Sequence, residues 1–132
     1  MKNKKNLTFE NIFNIILICC MIFIIVLWGK HFPLMKYRGY KKLYQYMDIQ
    51  KIPKKDIKDI KSYKDIKFDG YFYYVYLKDY PNYTLCYEYT RDGNFFLAVE
   101  KEINGINNML DENELKNFKY KPLPDNWEDI KK

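Results

Sequence analysis

The chain has 132 residues and a formal net charge of +6, from 23 Lys and Arg against 17 Asp and Glu. This length allows one small domain beside a membrane segment. One histidine and three cysteines exclude the usual zinc patterns, and five isolated glycines exclude a phosphate-binding glycine loop.

An apolar run near the N-terminus is the strongest pattern in the sequence. Residues 12–32 begin with IFNIILICCMIFIIVLW, in which Asn14 is the one polar residue. A helix of about 20 apolar residues crosses a bilayer core of about 30 Å. The run exceeds the roughly 7–15 residues of a signal-peptide core and lacks an A-x-A cleavage site. We therefore predict a retained transmembrane helix over residues 12–32 and a single-pass protein of the cell membrane.

Charge on the two sides of this span leaves its orientation open. The tail, residues 1–11, carries Lys2, Lys4 and Lys5, whereas the flank after the span is more basic. Positive charge tends to stay cytoplasmic, which favours a domain inside the cell. A short basic tail before one early span is, however, typical of an uncleaved signal anchor, and on that ground we expect an extracytoplasmic domain.

The basic segment after the span predicts contact with lipid. Residues 30–67 contain twelve basic and four acidic residues, whereas residues 68–132 contain eight basic and twelve acidic ones. A lysine near an anionic leaflet contributes roughly 1 kcal/mol. We therefore expect the bilayer, through its anionic headgroups, to be a partner. The candidate headgroup contacts are Lys30, Lys36, Arg38, Lys41 and Lys42.

Residues 33–100 predict a small domain of the α+β class. Residues 35–47 have apolar side chains at helical spacing and predict a basic amphipathic helix that continues from the span. Gly39 weakens this helix by up to about 1 kcal/mol relative to alanine. Aromatic and β-branched segments separated by turn sequences then predict an antiparallel meander of three to four strands, with the helix packed on it. The predicted strands are about 59–68, 71–78, 83–90 and 94–100.

The remaining residues, 101–132, predict an irregular tail. Asn104–Asn108 is expected to be a loop, and acidic residues open a possible short helix over 111–118. Trp127 could fold back onto the domain.

The sequence offers no recognisable catalytic centre. Its one histidine, His31, and its one serine, Ser62, make no nucleophilic triad. A two-acid site remains conceivable, but surface acids at strand ends are far commoner than catalytic pairs. We therefore expect no enzymatic activity, no cofactor, no metal site and no disulfide. The acids that such a site would draw on are Asp79, Glu88, Asp92, Glu100 and Glu102.

Tyrosines on two adjacent predicted strands suggest a binding surface. Exposed tyrosine rings offer amphipathic contact area for a sugar or a peptide. The alternative is cross-strand aromatic packing, which contributes about 0.2–1 kcal/mol per pair. The candidate binding surface comprises Tyr73, Tyr74, Tyr76, Tyr83, Tyr87 and Tyr89.

One stretch of the chain resembles a known family. Residues 56–96 read DIKDIKSYKDIKFDGYFYYVYLKDYPNYTLCYEYTRDGNFF, and KKLYQYM and the apolar span precede them. This layout resembles domain of unknown function 3139, a family of short Gram-positive bacterial proteins. The resemblance implies a small membrane-anchored protein without an assigned activity, and it carries over no functional residues.

Three functional hypotheses follow. The first is a non-enzymatic binding or regulatory domain, anchored by one span, whose partner is another membrane or wall protein. The second is an immunity or accessory protein that acts at the membrane against a secreted peptide. The third is a carboxylate-dependent hydrolase. Nucleic acid is not an expected partner, because no recognisable binding module accompanies the basic segment.

Overall fold

The computed structural model describes residues 8–131, without the side chains of His31 and Lys131. The three lysines of the predicted basic tail, Lys2, Lys4 and Lys5, lie outside the described residues. The chain divides into two compact units, Met1–Tyr37 and Arg38–Lys132.

A single helix, α1, runs from Phe9 to Ile49 and confirms that the apolar helix continues into the basic one. Pro33 lies inside it, although proline removes one backbone hydrogen bond from a helix. The apolar part of α1 is long and apolar enough to cross a membrane, and none of it is buried. Phe23 and Ile25, for example, are 64% and 69% exposed. A helix in the core of a soluble protein would instead bury such side chains.

The second unit contains a five-stranded antiparallel sheet whose strands follow one another in chain order. This confirms the α+β class, with one strand more than the three to four predicted. The strands are β1 Ile57–Asp65, β2 Gly70–Leu77, β3 Tyr83–Tyr89, β4 Phe95–Ile103 and β5 Ile106–Met109.

Strand β1 ends three residues earlier than predicted because its last side chain forms a turn. The carboxylate of Asp65 accepts hydrogen bonds from the backbone N–H groups of Lys67 (2.9 Å) and Phe68 (3.3 Å). Asp69 then adopts a φ of 50° before β2 begins at Gly70. Short polar side chains commonly form turns in this way, in competition with strand pairing.

Strand β5 lies in the segment predicted to be a loop, and that prediction was wrong. Asn104 and Gly105 have φ values of 54° and 78°, and Ile103 pairs with Ile106 across them. Two residues of positive φ make the type I′ turn that suits a hairpin, and Asn-Gly is a preferred sequence for it. A six-residue helix, α2, follows at Glu112–Asn117 and begins with a capping box between Asp111 and Glu114.

The core of the second unit lies between the C-terminal part of α1, from Arg38 to Ile49, and one face of the sheet. Tyr46 of the helix packs edge-to-face on Tyr87 of β3, with ring centroids 5.5 Å apart. Tyr40 does the same on Tyr73 of β2 at 4.8 Å. Gly39 faces the Tyr73 ring so closely that a Cβ there would overlap it. Glycine at position 39 therefore allows α1 to pack closely against the sheet.

Residues 118–131, the C-terminal strap, are part of this core. Trp127 is buried and packs against Tyr46, with ring centroids 5.0 Å apart. The backbone N–H of Leu123 donates to the Tyr46 hydroxyl (2.6 Å). Gln50 joins sheet to strap, since it accepts from the Tyr87 hydroxyl (2.8 Å) and donates to the carbonyl of Lys121 (2.8 Å). The predicted return of Trp127 onto the domain is thus confirmed.

Candidate binding face of the sheet

Alternation along the strands gives the sheet two different faces. One set of side chains packs under α1, and the other set forms what we call the open face. It comprises the even-numbered residues 72–76 of β2, 84–88 of β3 and 96–102 of β4, joined by Asp59, Lys61 and Tyr63 of β1 and by Asn107 and Met109 of β5. Tyr63 and Phe96 remain 52% and 49% exposed there.

The six predicted tyrosines do not form one surface. Tyr73, Tyr87 and Tyr89 are buried on the helix side, so their assignment to an exposed binding surface was wrong. They are buried because their strand positions point them at α1. Tyr83 shares their side and stacks on Phe118, with ring centroids 5.2 Å apart. The open face receives Tyr74 and Tyr76.

A groove of about 510 Å³ crosses the open face. Tyr63 meets Tyr74 edge-to-face, with ring centroids 5.5 Å apart. The ammonium of Lys61 lies 5.4 Å from the centroid of the Tyr76 ring, within the range of a cation–π contact. The groove is lined by Tyr63, Tyr74, Tyr76, Thr84, Glu100, Glu102 and Asn107.

Sequence analysis missed three of the groove residues, Tyr63, Thr84 and Asn107. Each comes from a different strand, so their proximity depends on register across the whole sheet. The signal for Asn107 was the Asn104-Gly105 turn, which places β5 beside β4.

The open face is acidic toward β5. The side chains that β3, β4 and β5 place on it include Glu88, Glu100 and Glu102 but no lysine or arginine. Glu100 accepts a hydrogen bond from the side-chain amide of Asn107 (3.4 Å). Lys61 lies on β1, at the other side of the sheet. This part of the face is therefore suited to positively charged groups.

A thiol lies beneath the aromatic side chains of the open face. Burial raises the pKa of the Cys86 thiol to about 11, although a hydrogen bond from the Tyr74 hydroxyl lowers it. Burial, followed by the neighbouring Cys86, raises the pKa of Tyr74 to about 12. Both groups are therefore neutral at physiological pH. Cys19 and Cys20 are free and exposed, whereas Cys86 is free and buried.

The fold brings two of the five predicted acids together and separates the other three from them. Asp79 and Asp92 lie in the turns at opposite ends of β3, and Glu88 pairs across with Phe96. Glu100 and Glu102 share the groove, because alternate residues of one strand point to the same face. Over residues 8–131, no group of three or more His, Cys, Asp or Glu side chains could hold a metal ion.

Four of the five predicted headgroup contacts, Lys30, Lys36, Arg38 and Lys41, are exposed. Lys42 is half-buried instead. Its ammonium donates to the carbonyl of Gly93 (2.6 Å) and to the carboxylate of Glu128 (2.6 Å), so it holds a turn and the C-terminal strap rather than facing lipid.

Comparison with known proteins identifies a family. A model described as "Protein of unknown function (DUF3139)" matches residues 10–87, from the beginning of α1 into β3. No curated protein matches the chain, and no solved structure matches it.

Proposed function

Because the match covers more than half of its residues, the chain belongs to the DUF3139 family, and we propose that it is a single-pass membrane protein with a non-enzymatic binding domain. In this proposal the open face is the binding surface. The observation that carries it is the aromatic and acidic groove on the sheet face opposite the core. Its partner is a polypeptide, either another membrane protein or a wall protein.

The apolar part of α1 supports the anchor. Its exposed apolar side chains would be more stable in the apolar core of a bilayer than in water. Trp28 is the last residue of the run IFNIILICCMIFIIVLW, a position at which an aromatic ring suits a membrane–water interface. The exposed Lys30, Lys36, Arg38 and Lys41 then face anionic headgroups, at roughly 1 kcal/mol for each cation close to the leaflet. In this proposal the domain lies outside the cytoplasm, as in an uncleaved signal anchor.

Composition of the open face supports a polypeptide ligand. Tyr63 and Phe96 offer large exposed rings, and tyrosine adds a hydroxyl that can form hydrogen bonds. Glu100 and Glu102 add negative charge to the groove that Tyr63 lines. Exposed aromatic side chains rimmed by polar residues commonly mark an interaction site.

The acidic side of the open face favours one specific alternative, an immunity or accessory role against a secreted peptide. Peptides that act on membranes are commonly rich in Lys and Arg on their polar face. An outward-facing acidic and aromatic surface could bind such a peptide before it reaches the bilayer. Under this alternative, cells that make the chain survive higher peptide concentrations, and the double variant Glu100→Gln/Glu102→Gln loses the protection while remaining in the membrane.

Two fractionation experiments test the anchor and its orientation. The chain, with an epitope tag after Lys132, should stay in the membrane pellet after an alkaline carbonate wash. Protease added to intact cells should remove the tag. Release by carbonate would refute the anchor, and a tag that is cleaved only after lysis would refute the extracytoplasmic placement.

A further inference from the structure

We propose that strand β5 and the acidic part of the open face together bind an extended basic polypeptide segment by strand addition. The inference rests on the proposed function, since it specifies the ligand class and the binding mode of the same open face.

The two edges of the sheet differ in how they discourage pairing. The β1 edge carries Lys58, Lys61 and Lys64 and has a register shift between Ile57 and Asp59. Charged side chains and bulges are the usual protection of an edge strand. The β5 edge has neither, because its sequence Ile-Asn-Asn-Met contains no charge and no proline and all four residues are exposed. It is therefore the edge suited to an added strand.

The backbone of β5 presents its hydrogen-bonding groups outward at two residues. Leu110 donates its N–H to the carbonyl of Val99 (2.9 Å), which fixes the alternation of bonds along this pair of strands. Asn107 and Met109 therefore direct their N–H and C=O groups away from β4. Within residues 8–131 no strand lies on that side of β5. A ligand in extended conformation can pair with these groups.

Charge complementarity specifies the ligand. Asn107 is directly opposite Glu102, and Met109 is directly opposite Glu100. An added strand would lie two strand spacings, about 10 Å, from β4. Lysine side chains that it directs to the open face would extend toward these two carboxylates of β4.

The same charges disfavour a second copy of the chain at this edge. Pairing β5 with β5 of another molecule would bring two sets of Glu100 and Glu102 toward one another without a compensating cation from either strand. Like charges placed close together weaken association. The occupant we infer is therefore a basic segment of a different polypeptide.

Peptide binding to the full chain tests the inference. The chain is placed in nanodiscs of zwitterionic lipid, so that the bilayer itself does not attract cations, and a fluorescent hexapeptide of alternating Lys and Val is titrated. One control peptide replaces Lys by Glu, and another is N-methylated at every residue, which removes its backbone donors. We expect the Lys peptide to bind at least about tenfold more tightly than either control. Each control lacks several hydrogen bonds or ion pairs, and the loss of a few such contacts is enough for a tenfold difference in affinity.

Matched variants locate the site. Met109→Pro removes an outward N–H, which an edge strand tolerates, whereas Met109→Ala retains it. We expect Met109→Pro to weaken binding about tenfold, because one or two hydrogen bonds to the ligand are lost. Met109→Ala should weaken binding less than about threefold, because only a side chain is lost. Glu100→Gln/Glu102→Gln should weaken binding about tenfold and flatten its salt dependence. Circular dichroism checks that each variant remains folded.

Each contrary result refutes a different statement. Equal binding of the N-methylated peptide and equal affinity of Met109→Pro and Met109→Ala would overturn strand addition but leave the open face as a binding surface. Equal binding of the Glu peptide would overturn the basic ligand class. Dimers that Met109→Pro dissociates, without peptide binding, would assign the edge to a second copy. If no peptide binds and no dimer forms, the inference fails, whereas the membrane anchor and the binding role of the open face in the proposed function stand.

Discussion

Replacing Gly39 by alanine should destabilise the domain, although helix propensity alone predicts the opposite. Alanine is favoured over glycine in a helix interior by about 1 kcal/mol. At position 39, however, an ideally placed Cβ would lie 2.8 Å from Cζ and 2.9 Å from Cε2 of Tyr73, and closer still to its hydroxyl. Ordinary carbon contacts are about 3.5–4.0 Å. The Tyr73 side chain has no exposed surface, so it cannot move into solvent.

The size of the effect follows from these opposing contributions. Forcing an extra methyl group into a packed core costs about 1–3 kcal/mol, occasionally more. Because the overlap with Tyr73 involves several ring atoms, the upper part of this range applies, about 2–3 kcal/mol. After the gain of about 1 kcal/mol in helix propensity, we expect Gly39→Ala to lower the free energy of unfolding by about 1–2 kcal/mol. For a domain of this size each kcal/mol lowers the melting temperature by about 4–8 °C.

Urea unfolding in a fixed detergent, followed by Trp127 fluorescence in a Trp28→Phe background, measures the effect. Gly29→Ala is the matched control, because no heavy atom lies within 4 Å of a Cβ at that glycine. Tyr73→Phe removes the nearest atom and should reduce the cost of the alanine, a coupling that a double-mutant cycle detects. A Gly39→Ala protein as stable as the parent, or a cost that Tyr73→Phe leaves unchanged, would refute the reasoning.

Three further predictions follow from described contacts. Trp127→Ala should lower the free energy of unfolding by about 3–5 kcal/mol, measured by urea titration, because a buried ring that packs on Tyr46 is lost. In a Cys19→Ser/Cys20→Ser background, Cys86 should react with iodoacetamide at pH 8 about 100-fold more slowly than an ordinary thiol, because its raised pKa keeps the thiolate scarce. The reaction rate should keep rising as the pH approaches 11, whereas the rate of an ordinary thiol levels off near pH 9. Gly105→Ala should cost about 1 kcal/mol in the same titration, since residue 105 has a φ of 78°.

Each of these predictions has a matched control. Ile130→Ala, at a side chain 54% exposed in the same strap, should change stability little, and an equal loss would argue against Trp127 as the packing contact. Urea-unfolded chain should show the ordinary pH profile of a thiol, and a native profile identical to it would contradict a buried Cys86. Gly105→Asn should cost less than Gly105→Ala, because asparagine tolerates positive φ better than alanine does.

The apolar helix, its continuation and four strands could be predicted because their patterns are local. In strand β3 the sequence pattern also indicates which face is buried, since Leu85, Tyr87 and Tyr89 alternate with more polar residues. Strand β2 did not, because aromatic side chains such as Tyr73 and Tyr74 point to both of its faces and alternation then has no contrast. The face of β2 that is buried is the one on which α1 packs, and the sequence pattern of β2 alone does not indicate which face that is.

The groove and the strap depend on contacts distant in sequence. Lys42 bonds to residues 51 and 86 positions away, so no local pattern could have removed it from the predicted headgroup contacts. The groove needs β1 and β5 in register with the three strands between them. Only the Asn104-Gly105 turn was a local signal for this arrangement, and it was interpreted as a loop.

The two-sided character of β2 bears on how members of this family can diverge. Tyr73 and Val75 are held in place by the helix above them, so a substitution there alters folding before it alters binding. Phe72 and Tyr76 flank these residues in sequence, but their side chains point to the open face and not toward α1. In the proposed function, therefore, substitutions at every second position of β2 change the binding surface, while the intervening positions are constrained by packing against α1.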